Sequence, residues 1–211
     1  MTFLEIFAIF FSLPILGIVL FFSLNRDYSV DVLVTWSLFG ATCVGMIIAA
    51  IVNSVIQASV PIIALPLCAL NEEFYKFLLI GIFLYRYKDI HDFKKSFFLG
   101  ATASLGFAFI ENIQYLVSEG ENVGYVTLGI VRLVLPTPMH FITGGITAMF
   151  FYRLYKRNLG IDQIFFGLSI TTVIHSFYNL LVPTLIGGVI VVFAIEFTKD
   201  INSDRITCAK L

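Results

Sequence analysis

The sequence predicts an all-α protein: a polytopic bundle of transmembrane helices with about seven spans, the N-terminus outside and the C-terminus in the cytoplasm. Three observations carry this. Hydrophobic residues make up 59% of the 211, charged residues only 13%, and the latter is roughly half the charge of a soluble domain. Apolar segments recur along the chain, each near the ~20 residues that a helix needs to cross a bilayer. Basic residues gather in alternate connections, which is the asymmetry that sets orientation. The mean hydropathy of +0.95 agrees. A net charge of -1 offers no electrostatic footprint for nucleic acid. One compact bundle, residues 1–211, is the expected domain, with its motifs within about 60–182.

The first expected span is 3–24. It has no Lys or Arg before Arg26 and no small-x-small cleavage pattern, so it reads as a retained helix. The second, 31–52, stops at a polar break from Asn53 to Ser59. The third, 60–84, precedes the charged loop Tyr85 to Lys95, in which His91 reads as a solvated residue. The fourth, 96–118, ends at Glu119-Gly120-Glu121-Asn122. The fifth, 123–153, is too long for one unbroken helix. Pro136 and Pro138 predict a kink just before His140, because an interior proline loses a backbone hydrogen bond and clashes with the preceding turn. The sixth and seventh, 161–181 and 184–199, are separated by Pro183.

Charge placement supports the count. Arg26 follows the first span, Arg86, Lys88, Lys94 and Lys95 the third, Arg153, Lys156 and Arg157 the fifth, and Lys199, Arg205 and Lys210 the seventh. The intervening connections hold no Lys or Arg. Cys43 and Cys68 read as small buried thiols. Cys208, in Cys-Ala-Lys-Leu, has the outline of a prenylation box with a Lys at an aliphatic position.

Polar residues stranded inside these spans are the functional candidates, since an ionisable side chain at the bilayer centre costs roughly 2.5–3.5 kcal/mol on insertion scales. The first motif is Glu72-Glu73-x-x-Lys76. Glu72 and Lys76 share a helix face and are expected to pair, which leaves Glu73 free for another task. The second is Phe107-x-x-x-Glu111-Asn112-x-x-Tyr115, where Phe107, Glu111 and Tyr115 line one face. The third is Arg132 with His140, followed by Gly144-Gly145, which permit close helix approach. Arg132 needs a counter-charge, and Glu111 and Glu73 are the available ones. The fourth is His175-x-x-x-Asn179, again one face. Asn179 is of a type that donates to a developing oxyanion, or that glues helices together. At 1.5 Å per residue, Glu72 lies on the order of 18 Å and His175 on the order of 10 Å from the outer ends of their helices. The cluster is thus expected in the outer half of the bilayer.

Taken in this order, the motifs resemble the PrsW family of intramembrane proteases, within the larger group that includes type II CAAX prenyl endopeptidases and bacteriocin-processing enzymes. The resemblance runs from about Asn71 to Asn179. Glu111 stands where the CAAX endopeptidases carry a His, which favours the PrsW branch. The resemblance implies hydrolysis of a peptide bond of a membrane-anchored protein, such as a single-span anti-sigma factor cut on its extracytoplasmic side to release a stress response. It implies that Glu72 activates water, with Glu73, Glu111 and His140 immediately around it and His175 and Asn179 orienting water or the oxyanion. Lys76, Asn112, Tyr115 and Arg132 support them.

The expected mechanism is glutamic, without a cofactor. Zinc is the rival, because two Glu and two His could hold it, although His-Glu-x-x-His is absent. Two further readings come from other classes. Glu, His and Lys inside helices also build proton relays in transporters, but no internal repeat is visible here. A non-catalytic membrane binding or immunity protein is the other. The expected partners are the lipid bilayer and a single-span membrane substrate.

Overall fold

In the computed structural model, residues 32–87, 93–157 and 160–181 are described, and nearly all of them are helical. The helices are α1 (Val32–Ser59), α2 (Ala64–Arg86), α3 (Phe93–Val123), α4 (Tyr125–Val134) and α5 (Pro136–Arg157), then α6 (Asp162–Leu181). A single 3-10 turn, Pro61–Ile63, joins α1 to α2. The chain divides into two compact units with the boundary between Ser176 and Phe177. The first holds α1 to α5 and α6 as far as Ser176. The described part of the second is the last turn of α6.

Among the described residues, α1, α3, α4 taken with α5, and α6 are long and apolar enough to cross a membrane. Helix α2 has 23 residues, about 34 Å at 1.5 Å per residue, which is length enough to span. It carries Glu72, Glu73 and Lys76 in its middle, all buried. The first and seventh expected spans, 3–24 and 184–199, lie outside the described residues, as do both termini, Cys208 and His91.

Three expected boundaries are tested. Asn53 does not end α1, which continues to Ser59. A buried Asn is tolerated there because its amide finds partners on α2, described below. The expected break at Glu119 to Asn122 is also helical, and the chain turns instead at Gly124, whose φ of 89° is open to glycine without steric cost. The kink falls where the prolines place it. The backbone N–H of Leu135 closes α4 on Val131 O at 3.0 Å, and Pro136 opens α5 at the position where its missing N–H costs nothing.

Helix α3 packs between α1 and α5, and α2 leans on α1 and α5. Lipid tails are as apolar as leucine, so helices in a bilayer gain by close approach and by polar contacts. Gly100 of α3 and Gly144 of α5 provide that approach: a Cβ on either would collide with the other's backbone carbonyl. Thr42 Oγ1 ties α1 to α3, donating to Ala103 O at 2.5 Å or to Phe39 O at 2.8 Å. The main apolar core joins Leu38 of α1, Phe77, Ile80 and Leu84 of α2, Leu99 and Ala103 of α3, and Ala148 and Phe151 of α5. It lies toward the basic end of the bundle, where the Arg153 guanidinium sits 5.8 Å from the Phe93 ring centroid. Further along the same helices, Met46, Ala49 and Phe107 form a second apolar layer. Beyond that layer come the polar residues.

Candidate active site

Five helices deliver the site: Asn53 from α1, Glu72, Glu73 and Lys76 from α2, Glu111 and Asn112 from α3, His140 and Thr143 from α5, and His175 from α6. Arg132 of the short helix α4 closes one side. The ionisable groups are withdrawn from the surface, with Glu72 6%, Glu73 0%, Lys76 0%, His140 0% and His175 1% exposed. Charges at such burial must be paired, and the pairing determines what each can do.

Glu73 is held by two groups. Lys76 Nζ lies 2.6 Å from Glu73 Oε1 and donates also to Thr143 Oγ1 at 3.2 Å. His175 Nδ1 meets the same Oε1 at 2.8 Å. The expected Glu72–Lys76 pair is thus replaced by Glu73–Lys76. Residues three apart also share a helix face, and the Lys76 ammonium turns toward Thr143 of α5, leaving Glu72 to face α1. Glu111 is held likewise: Arg132 Nη2 lies at 2.8 Å from its Oε2 and His140 Nε2 at 2.7 Å. Glu111 is therefore the counter-charge for Arg132, one of the two candidates the sequence offered.

Arg132 is itself fixed. Its Nε donates to Asn112 Oδ1 at 2.8 Å, Asn112 Nδ2 donates to Thr137 Oγ1 at 3.2 Å, and Thr137 Oγ1 donates to Arg132 O at 2.9 Å. The guanidinium stacks 3.9 Å from the Tyr115 ring centroid, which is cation–π range. Tyr115 thus supports the site through Arg132. Phe107 floors it, with the Lys76 ammonium 5.4 Å from its ring centroid.

An ionised carboxylate only accepts hydrogen bonds. Each imidazole must then donate the N–H that faces its glutamate, His175 from Nδ1 and His140 from Nε2. The opposite nitrogens, His175 Nε2 and His140 Nδ1, keep their lone pairs. Among the described residues neither has a hydrogen-bond partner, and neither does Glu72 Oε2. The three side chains come together. His175 Nε2 is 3.6 Å from Glu72 Oε2, the two rings meet edge-on with centroids 5.2 Å apart, and one ligand atom from each of Glu72, His140 and His175 lies within 4.8 Å of the others. Glu73 Oε2 also lacks a partner, but its other oxygen is taken by Lys76 and His175.

The donor set fits a divalent metal ion. Two imidazoles and a carboxylate with room for a further ligand is the composition of catalytic zinc sites. A metal-binding His typically gives its other N–H to a carboxylate, which fixes tautomer and ring orientation; Glu73 and Glu111 stand in that relation to His175 and His140. Glu72, in contrast to Glu73 and Glu111, has no Lys or Arg partner. Its Oε1 accepts from Asn53 Nδ2 at 2.9 Å.

Of the residues singled out from sequence, Glu72, Glu73, Glu111, His140 and His175 converge, with Lys76, Asn112, Tyr115 and Arg132 around them. Asn179, one turn beyond His175 in α6, falls in the second unit. Sequence reasoning missed Asn53, Asn71, Thr143 and Thr137. All four are uncharged, so depth in an apolar segment did not flag them. A useful signal would have been that an Asn or Thr facing a neighbouring helix at the level of Glu72 has to find a partner.

A scan against protein-family models matches residues 29–198 to the PrsW family intramembrane metalloprotease. Among curated proteins, Protease PrsW of Bacillus subtilis (strain 168) is 30% identical over 119 residues, covering 54% of this chain and 51% of that protein. Protease PrsW of Oceanobacillus iheyensis is 26% identical over 114 residues, covering 54% and 51%. Protease PrsW of Geobacillus kaustophilus is 34% identical over 83 residues, covering 39% and 35%. The chain spans about half the length of the first two. No solved structure matches. With its membrane-crossing helices, a family match running through every site helix, and a buried cluster of two His and three Glu, the chain is a multi-pass integral membrane protein that belongs to the PrsW family.

Proposed function

We propose that the chain is an intramembrane endopeptidase that holds a divalent metal ion, zinc by its donor set, between Glu72, His140 and His175. The carrying observation is that one ligand atom from each of Glu72, His140 and His175 lies within 4.8 Å of the others, while the buried Glu72 Oε2, His140 Nδ1 and His175 Nε2 have no hydrogen-bond partner among the described residues. An unpaired polar atom in a low-dielectric interior is costly, and a ligand shared by these three side chains would account for all three. Glu72, His140 and His175 would hold the zinc ion, which when bound would supply Lewis acidity for peptide hydrolysis near neutral pH. The protein's own part is orientation. Glu73 and Glu111, neutralised by Lys76 and Arg132, aim the two imidazoles and are poor bases. Glu72, free of a cation, keeps its reactive oxygen toward the two His.

That freedom also favours the second reading, a metal-free glutamic mechanism. There Glu72 takes the proton from a water held by His140 and His175, and no cofactor is needed. Both readings require Glu72.

The proposed substrate is a single-span membrane protein of the anti-sigma-factor kind, cut toward the extracytoplasmic side. Depth supports this. Glu73, His140 and Glu111 stand 13, 13 and 16 residues from Arg86, Arg153 and Lys95 at the basic end, or about 20–24 Å at 1.5 Å per residue. Basic ends lie in the cytoplasm, so in a core about 30 Å thick the site falls in the outer half.

The test is cleavage of a panel of single-span membrane proteins by purified protein in detergent, comparing wild type, Glu72→Gln and His140→Ala with and without a strong chelator. Cleavage by wild type alone, stopped by chelation and restored by zinc, is expected. Cleavage indifferent to chelation would select the glutamic reading. Full function of both variants would end the protease reading.

A further inference from the structure

We propose that Asn53 of α1 is the positioning residue for Glu72, and that Asn71 sets the orientation of the Asn53 amide. The proposal rests on the reading of Glu72 as a working carboxylate. Among the described residues, Glu72 is the one glutamate of the cluster with no Lys or Arg ion pair to fix it. Its Oε1 accepts from Asn53 Nδ2 at 2.9 Å, and the same bond leaves Oε2 as the oxygen toward His175. Asn53 cannot flip its amide freely, because its Oδ1 accepts from Asn71 Nδ2 at 2.8 Å. An amide that accepts on one atom must offer its N–H groups on the other. Asn71 Nδ2 is anchored in turn on Ala49 O at 3.0 Å.

The result is a directed chain between α1 and α2: Asn71 anchors to the α1 backbone, fixes Asn53, and Asn53 fixes Glu72. Asn53 is 9% exposed and lies in a mostly apolar helix without a charged residue, where an amide without partners would be costly. Groups that orient a ligating or catalytic side chain typically change metal affinity or activity by 10–100-fold when removed. An Asn between transmembrane helices can also serve only as glue, and the two roles differ in what they predict for affinity and kcat. Asn71→Ala removes two interhelical bonds and leaves the Asn53 donor in place, with its amide free to turn. Asn53→Ala removes the bond to Glu72.

The experiment measures zinc affinity by chelator competition, thermal unfolding in detergent, and kcat and KM for a cleaved single-span protein, in wild type, Asn53→Ala and Asn71→Ala. Positioning predicts that Asn53→Ala loses roughly 10–100-fold in zinc affinity and in kcat with KM little changed. Asn71→Ala should lose less of both while unfolding at least as early. Glue predicts that affinity and kcat per folded molecule stay at wild type in both, with only the unfolding temperature lowered. That outcome overturns the proposal.

If wild type binds no zinc, the metal reading fails by itself. The decision then passes to infrared spectra of protein with 13C-labelled glutamate. The carboxylate band lost in Glu72→Gln should shift in Asn53→Ala, and an unshifted band refutes the positioning role.

Discussion

The two halves of this bundle are built from the same helices by different physics. Toward the basic end, Leu38, Ile80, Leu99 and Ala148 meet across four helices, each fully buried, and Gly100 against Gly144 brings α3 and α5 into backbone contact. Two to three turns along, the same α2, α3 and α5 carry Glu73, Glu111 and His140. There the contacts are the Glu73–Lys76 and Glu111–Arg132 pairs at 2.6 and 2.8 Å and the imidazoles between them. The apolar half gains little from burial as such, because lipid competes for it on equal terms; it depends on fit. The polar half pairs nearly every charge and yet leaves Glu72 Oε2, His140 Nδ1 and His175 Nε2, as well as Glu73 Oε2, without hydrogen-bond partners among the described residues. A purely structural polar cluster would satisfy those atoms too. The halves therefore divide the labour: one holds the helices in register, and the other uses that register.

Substitutions can sharpen or break the division. The largest effect belongs to the unpaired atoms. Glu72→Gln is expected to lower kcat by roughly 10²–10⁴-fold with little change in unfolding temperature, read by cleavage and by thermal unfolding of one preparation. Equal loss of fold and activity would merge the halves.

Next comes Lys76→Met. It leaves Glu73 buried at 0% exposure with its charge uncompensated, and breaking such a pair costs about 3–5 kcal/mol. Lys76→Met with Glu73→Gln should recover much of the stability without recovering activity, since His175 loses its carboxylate. Denaturation of both variants in detergent, alongside cleavage, checks this.

Gly144→Ala acts on the apolar half. Its Cβ meets Gly100 O, a backbone atom that cannot rotate away, so the helices must part. Overpacking of this kind costs typically about 1–3 kcal/mol, and activity per folded molecule should persist. The smallest expected effect is Ile80→Val, about 0.5–1.5 kcal/mol, with unchanged cleavage. A strong loss of cleavage in Ile80→Val, at unchanged stability, would show that the apolar half takes part in the chemistry.

Legibility followed the same division. Charged residues in apolar segments are conspicuous, and Glu72, Glu73, Glu111, His140 and His175 were all visible in the sequence, as was the proline kink that aims α5. Their wiring was not. Helical spacing allows Lys76 both Glu72 and Glu73, and Thr143, sixty-seven residues later, decides between them. Asn53 looked like a stop because asparagine favours helix ends and turns when nothing pairs with it; its partners Glu72 and Asn71 lie on another helix. Glu119 to Asn122 looked like a loop for a similar reason, its polarity outweighing the helix propensity of glutamate, and the turn came at Gly124. The pairing of Gly100 with Gly144 was half visible: Gly144-Gly145 announced a close approach but not which helix would meet it.

The central claim is that Glu72, His140 and His175 share one metal ion that makes the site hydrolytic. The most direct test measures zinc per chain by elemental analysis and cleavage of a single-span membrane protein on the same purified sample, before stripping, after stripping and after zinc is restored. The account predicts about one zinc ion per chain, as for a single His2Glu site, with zinc and cleavage lost and regained together, and neither regained in His175→Ala. Full cleavage by protein stripped of zinc would contradict it.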